Sequence, residues 1–127
     1  MTPPVVLVAE DDADILDLVE LRLRQDGYDV ITARDGQEAL RLAGERRPAL
    51  ALLDVQMPKV NGYDVTRRLR ADAVTRGMVI IILTASVRDT ELARAFEAGA
   101  DHFLRKPFSP SDLAARVRAA LESEARL

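Results

Sequence analysis

The feature of this chain that most constrains its fold is a regular alternation of two hydrophobic patterns. Five short, largely apolar runs are each followed by a stretch whose apolar residues recur at helical spacing. The runs predicted as strands are Pro4–Ala9, Tyr28–Ala33, Ala49–Leu53, Val79–Leu83 and His102–Leu104. The stretches predicted as helices are Ala13–Gln25, Gln37–Glu45, Tyr63–Arg70, Asp89–Ala98 and a last one from Ser111. Strands that alternate with helices lie parallel, so we predict a doubly wound α/β fold with a five-stranded parallel sheet and helices on both faces.

A single domain, residues 1–127, accounts for the whole chain, because this length lies within the usual range of one domain. The composition, with 48% hydrophobic and 31% charged residues, allows a buried core. The longest apolar run, Met78–Leu83, is far shorter than the roughly 20 residues that a membrane-spanning helix needs. The first residues lack the basic region and the cleavage site of a secretory signal, so we expect a cytoplasmic protein without a membrane partner.

Residue counts exclude several classes of function. The chain has no cysteine, which excludes disulfide scaffolds, zinc ribbons and thiol nucleophiles. Its one histidine, His102, cannot by itself build a histidine-based metal site or a catalytic triad. The formal net charge of −3 argues against binding of nucleic acid by charge alone.

Polar residues stand at the ends of four of the five predicted strands. They are Glu10, Asp11 and Asp12 for the first strand, Asp54 for the third, Thr84 for the fourth and Lys106 for the fifth. Each of them alone has an ordinary explanation, as a helix cap, a strand former or a surface residue. The carboxyl ends of parallel strands meet at one edge of the sheet, however, and functional groups gather there in doubly wound folds. Their joint occurrence therefore favours a functional site.

Several carboxylates at one sheet edge need a compensating positive charge. Two unit charges about 4 Å apart repel by roughly 4 kcal/mol at an effective dielectric constant near 20. Mg²⁺ or Mn²⁺ would relieve this repulsion, because these ions take oxygen ligands and leave room for phosphate. Lys106, one of only two lysines, adds an ammonium group suited to phosphate. A carboxylate between a divalent cation and an ammonium group can attack phosphorus and form an aspartyl phosphate.

The strand ends lie within longer motifs. These are Val8-Ala9-Glu10-Asp11-Asp12, Leu53-Asp54-Val55-Gln56-Met57-Pro58 with Asn61-Gly62, Leu83-Thr84-Ala85, Gly99-Ala100-Asp101 and Lys106-Pro107-Phe108. In order and spacing they resemble the receiver domain of two-component response regulators, most closely the receivers of the winged-helix transcription-factor class. The resemblance covers the chain from Val5 to about Leu121. It implies a flavodoxin-like receiver fold and a signalling domain, phosphorylated by a sensor histidine kinase or a phosphotransfer protein, that turns over no separate substrate.

The resemblance implies that Asp54 is the phosphoryl acceptor and that Mg²⁺ is bound beside it. Asp11 is then a direct metal ligand, Glu10 acts through water and the backbone carbonyl of Gln56 contributes. Asp11 and Asp12 could also be the acidic pair. We favour Glu10 and Asp11, because the first strand should deliver Glu10 directly at the edge of the sheet.

The resemblance also implies a set of switch residues. Thr84 supplies a hydroxyl group, Ala85 is the small neighbour that lets a phosphoryl group approach, and Lys106 binds phosphate. The bond between Lys106 and Pro107 is expected to be cis, because an X–Pro bond lowers the cost of that isomer. Phe103 stands where the family places an aromatic residue that changes rotamer, although it lacks a tyrosine hydroxyl. The alternative for Phe103 is an ordinary half-buried strand residue.

The mixed-charge surface near the last helix predicts a weak homodimer that depends on phosphorylation. The residues that resemble dimer contacts of the winged-helix class are Asp101, Asp112, Arg116 and Arg118. Charges of both signs suit self-complementary ion pairs across a two-fold axis, although a solvated surface explains them as well. His102 departs from the charge pattern of that class. The chain is either a stand-alone receiver or the receiver part of a longer regulator, and the domain itself is not expected to bind nucleic acid.

Three other functions fit parts of the pattern. A flavodoxin-like cofactor binder would need a phosphate-binding loop rich in Ser, Thr or Gly after the first strand, where this chain is acidic. A small phosphohydrolase would use Asp12-Ala13-Asp14, but it leaves Asp54 and Lys106 without a joint role and the chain has no room for a substrate cap. A metal-dependent enzyme of the topoisomerase–primase kind would need an acid where Gln56 stands.

Overall fold

The computed structural model describes residues 2–86 and 88–125, except for the side chains of residues 124 and 125. The strands are β1 (Val5–Ala9), β2 (Asp29–Ala33), β3 (Leu50–Asp54), β4 (Val79–Thr84) and β5 (His102–Arg105). The helices are α1 (Ala13–Gln25), α2 (Gly36–Arg46), α3 (Gly62–Ala71), α4 (Asp89–Ala98) and α5 (Pro110–Ala125). All five strands pair in parallel, in the order β2-β1-β3-β4-β5. The predicted fold is confirmed.

Helices cover both faces of the sheet. Helices α1 and α5 bury Leu16, Val19, Leu23, Leu113 and Val117 against one face. Helices α2, α3 and α4 bury Ala39, Ala43, Val65, Leu69 and Ala95 against the other. Strands buried on both faces have no polar side to present, which is why β1, β3 and β4 read as continuous apolar runs in the sequence.

Strands β3, β4 and β5 each extend one residue beyond their predicted ends, and two of these residues belong to the predicted site. Strand β3 ends at Asp54 and β4 at Thr84. The backbone explains the extension: Val55 N–H donates to the Leu83 carbonyl at 3.1 Å, and Lys106 N–H donates to the Thr84 carbonyl at 2.8 Å. Asp54 and Thr84 are therefore held by the sheet and not by a loop.

The order of the strands reverses at β1, which has β2 on one side and β3 on the other. In doubly wound folds such a reversal opens a crevice beyond the carboxyl ends of the strands. The loops after β1 and β3 diverge here, toward helices on opposite faces of the sheet. Within the described residues, no helix combines the length and the hydropathy that crossing a bilayer requires.

Candidate functional site

Four neighbouring strands deliver the predicted site residues to one edge of the sheet. Glu10 directly follows β1, Asp54 ends β3, Thr84 ends β4 and Lys106 directly follows β5. These residues line one crevice of about 420 Å³. The spatial cluster that the sequence predicts is therefore present.

Lys106 bridges the two buried carboxylates of the crevice. Its Nζ lies 2.6 Å from Glu10 Oε1 and 3.2 Å from Asp54 Oδ1. Burial by itself lowers the pKa of Lys106, but its contacts with the two carboxylates outweigh burial and raise the pKa. Lys106 is therefore a firmly charged ammonium group.

Glu10 is the most deeply buried charged group of the site, with no exposed surface. Burial raises its pKa, the neighbouring Asp54 raises it further, and the ammonium group of Lys106 opposes both effects. Its Oε2 accepts a hydrogen bond from Asp12 N–H at 3.2 Å. Its Oε1 makes the ionic contact with Lys106 but accepts no hydrogen bond of good geometry from the described residues. The Lys106 ammonium group thus engages Oε1 through charge.

The raised pKa of Glu10 predicts a pH-dependent stability. A carboxyl group whose pKa is higher in the folded than in the unfolded chain stabilises the fold below its unfolded pKa, near 4.5, and this contribution is lost as the pH rises through the folded pKa. The free energy of unfolding of the wild type, without divalent cations, should therefore fall relative to that of Glu10→Gln as the pH rises above 4.5. Urea unfolding at a series of pH values measures this difference, and parallel pH profiles would contradict the assignment.

Three carboxylates form the acidic cluster: Glu10, Asp11 and Asp54. Each can offer one oxygen such that all three oxygens lie within 4.8 Å of one another. Asp11 is exposed at the mouth of the crevice, whereas Asp54 is buried. Carboxylate oxygens are the ligands that a hard divalent cation prefers. Because Asp11 is exposed, a cation bound here could keep some of its water. The residues present therefore fit Mg²⁺.

Asp12 has a different position and a structural role. Its Oδ1 accepts hydrogen bonds from Asp14 N–H at 3.0 Å and Ile15 N–H at 3.2 Å, so Asp12 caps the N-terminus of α1. Its side chain is thereby turned toward the helix. The geometry favours Glu10 and Asp11 as the acidic pair.

The Thr84 hydroxyl is engaged in the loop after β4. Its Oγ1 donates to the Ser86 carbonyl at 3.0 Å and accepts from Ser86 N–H at 3.1 Å. Ala85, between them, is exposed and lines the crevice. A bond from Thr84 to a group on Asp54 would require the hydroxyl to leave the Ser86 carbonyl.

Gln56 and Gly62 shape the backbone around Asp54. Gln56 N–H lies 3.4 Å from Asp54 Oδ1, a long hydrogen bond. Gly62 opens α3 and donates its N–H to the Val55 carbonyl at 3.0 Å. A Cβ at this position would collide with the Asp54 carbonyl oxygen, so the close approach requires glycine. The sequence indicates Gly62 only as part of a motif, and the Asn-Gly pair before a helix is the signal for this close approach.

Phe103 and Pro107 do not face the crevice. Both line a neighbouring groove between β5 and α5. The Phe103 ring packs edge-to-face on Phe96 of α4, with the ring centroids 6.2 Å apart and the planes at 81°. The bond between Lys106 and Pro107 is cis, as expected.

Glu91, in the first turn of α4, also lines the crevice and was not predicted from the sequence. Its Oε2 accepts a hydrogen bond from Tyr63 Oη at 2.9 Å. The available signal was its position seven residues after Thr84, in the helix that begins near the end of β4. Acidic residues are common in first helical turns, so this signal was weak.

Comparison with protein families gives one consistent result. The family model described as the response regulator receiver domain matches residues 6–118. Among curated proteins, the DNA-binding response regulator MtrA of Mycobacterium tuberculosis strain H37Rv is 43% identical over 116 residues, which are 91% of this chain and 50% of MtrA. The chain spans about half the length of the curated relatives it matches.

Solved structures show the same similarity. A putative response regulator from Chloroflexus aurantiacus superposes with a TM-score of 0.89 at 36% identity, covering 94% of this chain and 98% of that one. The receiver domain of the sensor histidine kinase PA1611 from Pseudomonas aeruginosa has a TM-score of 0.87 at 31% identity, with 94% and 98% covered. In that structure a magnesium ion is coordinated in the active-site cleft.

Proposed function

The chain belongs to the response regulator receiver domain family of two-component systems, and we propose that Asp54 is the residue that accepts the phosphoryl group. The observation that carries this proposal is the contact between Lys106 Nζ and Asp54 Oδ1, 3.2 Å long, inside a crevice that also holds Glu10 and Asp11. A buried carboxylate paired with an ammonium group at an acidic site is arranged for nucleophilic attack on phosphorus.

The transfer itself needs few groups. A carboxylate oxygen of Asp54 attacks the phosphorus of a phosphohistidine or of a small phosphodonor. The bond from phosphorus to the donor nitrogen or oxygen breaks, and its electron pair stays on the donor, which takes up a proton. Lys106 balances the charge that develops on the phosphoryl oxygens, and the Thr84 hydroxyl can donate to one of them.

Glu10, Asp11, Asp54 and the Gln56 carbonyl would hold the Mg²⁺ ion. The acidic cluster supports this ligand set, and Mn²⁺ would fit the same oxygen donors. When bound, the ion supplies positive charge to phosphoryl oxygens beside Asp54. The magnesium ion in the cleft of the PA1611 receiver agrees with this choice.

Phosphorylation would then act as a conformational switch. The Thr84 hydroxyl leaves Ser86 to donate to the phosphoryl group, for which the small side chain of Ala85 leaves room. Phe103 gives up its contact with Phe96 and turns inward past Pro107 and Lys106. The two conformations need differ by only a few kcal/mol for phosphorylation to shift their populations.

The partner is a sensor histidine kinase or a phosphotransfer protein, met in the cytoplasm. The domain turns over no separate substrate, although its own residues assist the gain and loss of the phosphoryl group. A DNA-binding activity, such as the name of MtrA states for that protein, would belong to another part of a longer regulator.

Incubation with acetyl phosphate and Mg²⁺ tests the function. We expect an intact-mass increase of one phosphoryl group that is stable in acid and lost in base or hydroxylamine. Omission of Mg²⁺ should prevent it. Continuous release of phosphate without any adduct would instead indicate a phosphohydrolase.

Phosphorylation-dependent dimerisation is a further part of this proposal. The residues of the proposed face, Asp101, Asp112, Arg116 and Arg118, are all exposed. Asp101 is already engaged through Oδ2, which lies 2.7 Å from Arg70 Nη2 and accepts from Ile80 N–H at 2.9 Å. An intermolecular pair would therefore use its Oδ1.

We expect sedimentation to detect a dimer when beryllofluoride, a phosphoryl mimic, is added with Mg²⁺. High salt and Arg116→Glu should each disrupt it, because exposed ion pairs are screened by salt. Arg41→Glu, which alters an exposed pair on α2, is the matched control and should still dimerise. Monomers in both states at high micromolar concentration would show that this face does not bind a second copy.

A further inference from the structure

We propose that Tyr63, Glu91 and Arg94 form a latch that holds α4 against α3 in the resting domain and so lowers the affinity of the Asp54 site for a phosphoryl group. The inference rests on the proposed function of Asp54, because the latch regulates that same site. Its three members are called the α3–α4 latch below.

In the α3–α4 latch, two residues of α4 contact the Tyr63 side chain, one at its hydroxyl and one at its ring. Tyr63 on α3 is only 3% exposed, and its hydroxyl donates to Glu91 Oε2 at 2.9 Å. The Arg94 guanidinium carbon lies 4.5 Å from the centroid of the Tyr63 ring. Glu91 and Arg94 are three residues apart on α4 and therefore share one face of that helix.

Both contacts are stronger than an ordinary contact between neutral groups. A hydrogen bond to a carboxylate is stronger than one between neutral groups, and a cation over an aromatic face adds attraction. Burial, followed by the neighbouring carboxylate of Glu91, raises the pKa of Tyr63. The phenol is therefore protonated and remains the donor throughout the physiological pH range.

The rest of α4 is held mainly at its C-terminal end. There Gly99, in the left-handed conformation, caps the helix and its carbonyl accepts from Arg70 Nε at 2.8 Å. At the N-terminal end Arg88 provides no side-chain capping hydrogen bond. The buried residues of α4 are Ala95 and Ala98, both in the C-terminal half. In the N-terminal half Leu92 is only half-buried, and the hydrogen bond of the latch ties Glu91 to α3.

That half of α4 is also a wall of the acceptor site. Glu91 lines the same crevice as Asp54 and Thr84. When the Thr84 hydroxyl leaves the Ser86 carbonyl, the loop that leads into α4 loses one of its anchors. A shift of this loop carries Glu91 away from Tyr63, so the activated conformation forms at the expense of the latch. A ligand that prefers the activated conformation must therefore supply the free energy needed to break the latch.

Removal of the Tyr63 hydroxyl should therefore strengthen binding of a phosphoryl mimic. We expect Tyr63→Phe to lower the beryllofluoride concentration for half-saturation, measured by calorimetry with Mg²⁺, about fivefold, which corresponds to about 1 kcal/mol. The variant keeps the buried ring and its contact with Arg94. Tyr28→Phe, which removes the other tyrosine hydroxyl of the chain at a half-buried position, is the matched control and should leave binding unchanged.

Tyrosine fluorescence can report on the latch directly. It contains two tyrosines and no tryptophan, so in Tyr28→Phe all tyrosine emission comes from Tyr63. We expect beryllofluoride to change this emission as Tyr63 loses Glu91. The emission of Tyr63→Phe, which reports Tyr28 alone, should not change.

The outcomes separate the latch from the function on which it rests. If the wild type does not bind beryllofluoride, the proposed function fails and the latch with it. If the wild type binds but Tyr63→Phe has the same midpoint and Tyr63 emission is constant, the latch is wrong and the function stands. A Tyr63→Phe variant with a changed melting temperature and an unchanged midpoint also contradicts the latch, since that result describes a purely structural contact.

Glu91→Ala should lower the midpoint of beryllofluoride binding as Tyr63→Phe does. The double variant should lower it no further than either single variant.

Discussion

Replacement of Asp54 by asparagine is expected to abolish the phosphoryl adduct completely. The amide has nearly the shape of the carboxylate but lacks its negative charge and nucleophilic oxygen, so it cannot form an acyl phosphate. The side chain is buried at the end of β3 and the Lys106 ammonium group keeps its closer contact with Glu10, so the fold should be retained. Intact-mass spectrometry after incubation with acetyl phosphate and Mg²⁺ measures the loss.

Asp12→Asn is the matched control for this experiment. It makes the same chemical change at the mouth of the same crevice, and asparagine still caps α1. The control should therefore give the full adduct. An adduct on Asp54→Asn, or one mapped to Asp12, Asp14 or a serine of the wild type, would refute Asp54 as the acceptor.

The fold could be predicted because burial on both faces leaves a direct record in the sequence. Strands β3 and β4 have no exposed face, so they appear as unbroken apolar runs, and α1 is amphipathic and begins after a capping aspartate. The predicted bounds of α1 and α4 agree with the structure, and the others differ by one residue at one or both ends. At Asp54 and Thr84 the difference arises because backbone hydrogen bonds extend the sheet past the apolar run.

The position of the candidate site could be predicted from the parallel arrangement of the strands. Parallel topology brings the carboxyl ends of neighbouring strands together, so the order of the strands is enough to place Glu10, Asp54 and Lys106 within contact distance. The choice between Glu10 with Asp11 and Asp11 with Asp12 as the acidic pair could not be settled from the sequence, because all three residues follow β1. It depends on the direction of each side chain, and only the structure shows that Asp12 turns toward α1.

The contacts of helical side chains with other elements were not predictable. The hydrogen bond between Tyr63 and Glu91, the ion pair between Arg70 and Asp101, and the packing of Phe96 on Phe103 join residues 28, 31 and 7 positions apart. Each depends on the rotation and tilt of a helix upon the sheet, which hydrophobic periodicity defines only to within a turn. Two of these contacts, at Glu91 and Phe96, hold residues of α4.

The carboxylates of the crevice are only partly balanced by positive charge. Lys106 supplies one positive charge for three carboxylates, and its ion pairs engage Glu10 and Asp54 but not the exposed Asp11. Mg²⁺ should therefore raise the melting temperature of the wild type. At about ten times its Kd the ion would add about 1.4 kcal/mol, or about 5 °C for a chain of this size.

Asp11→Ala should remove this Mg²⁺-dependent shift and leave the metal-free melting temperature equal to or above that of the wild type, because one crowded charge is gone. Asp12→Ala should do the opposite. It costs about 1 kcal/mol of metal-free stability because α1 loses its cap, yet the shift with Mg²⁺ persists. Thermal unfolding of the three proteins, with Mg²⁺ and with a chelator, distinguishes the two acids by their separate signatures. A shift retained in Asp11→Ala and lost in Asp12→Ala would transfer the ligand role to Asp12, and with it the acidic pair would move one residue along the chain.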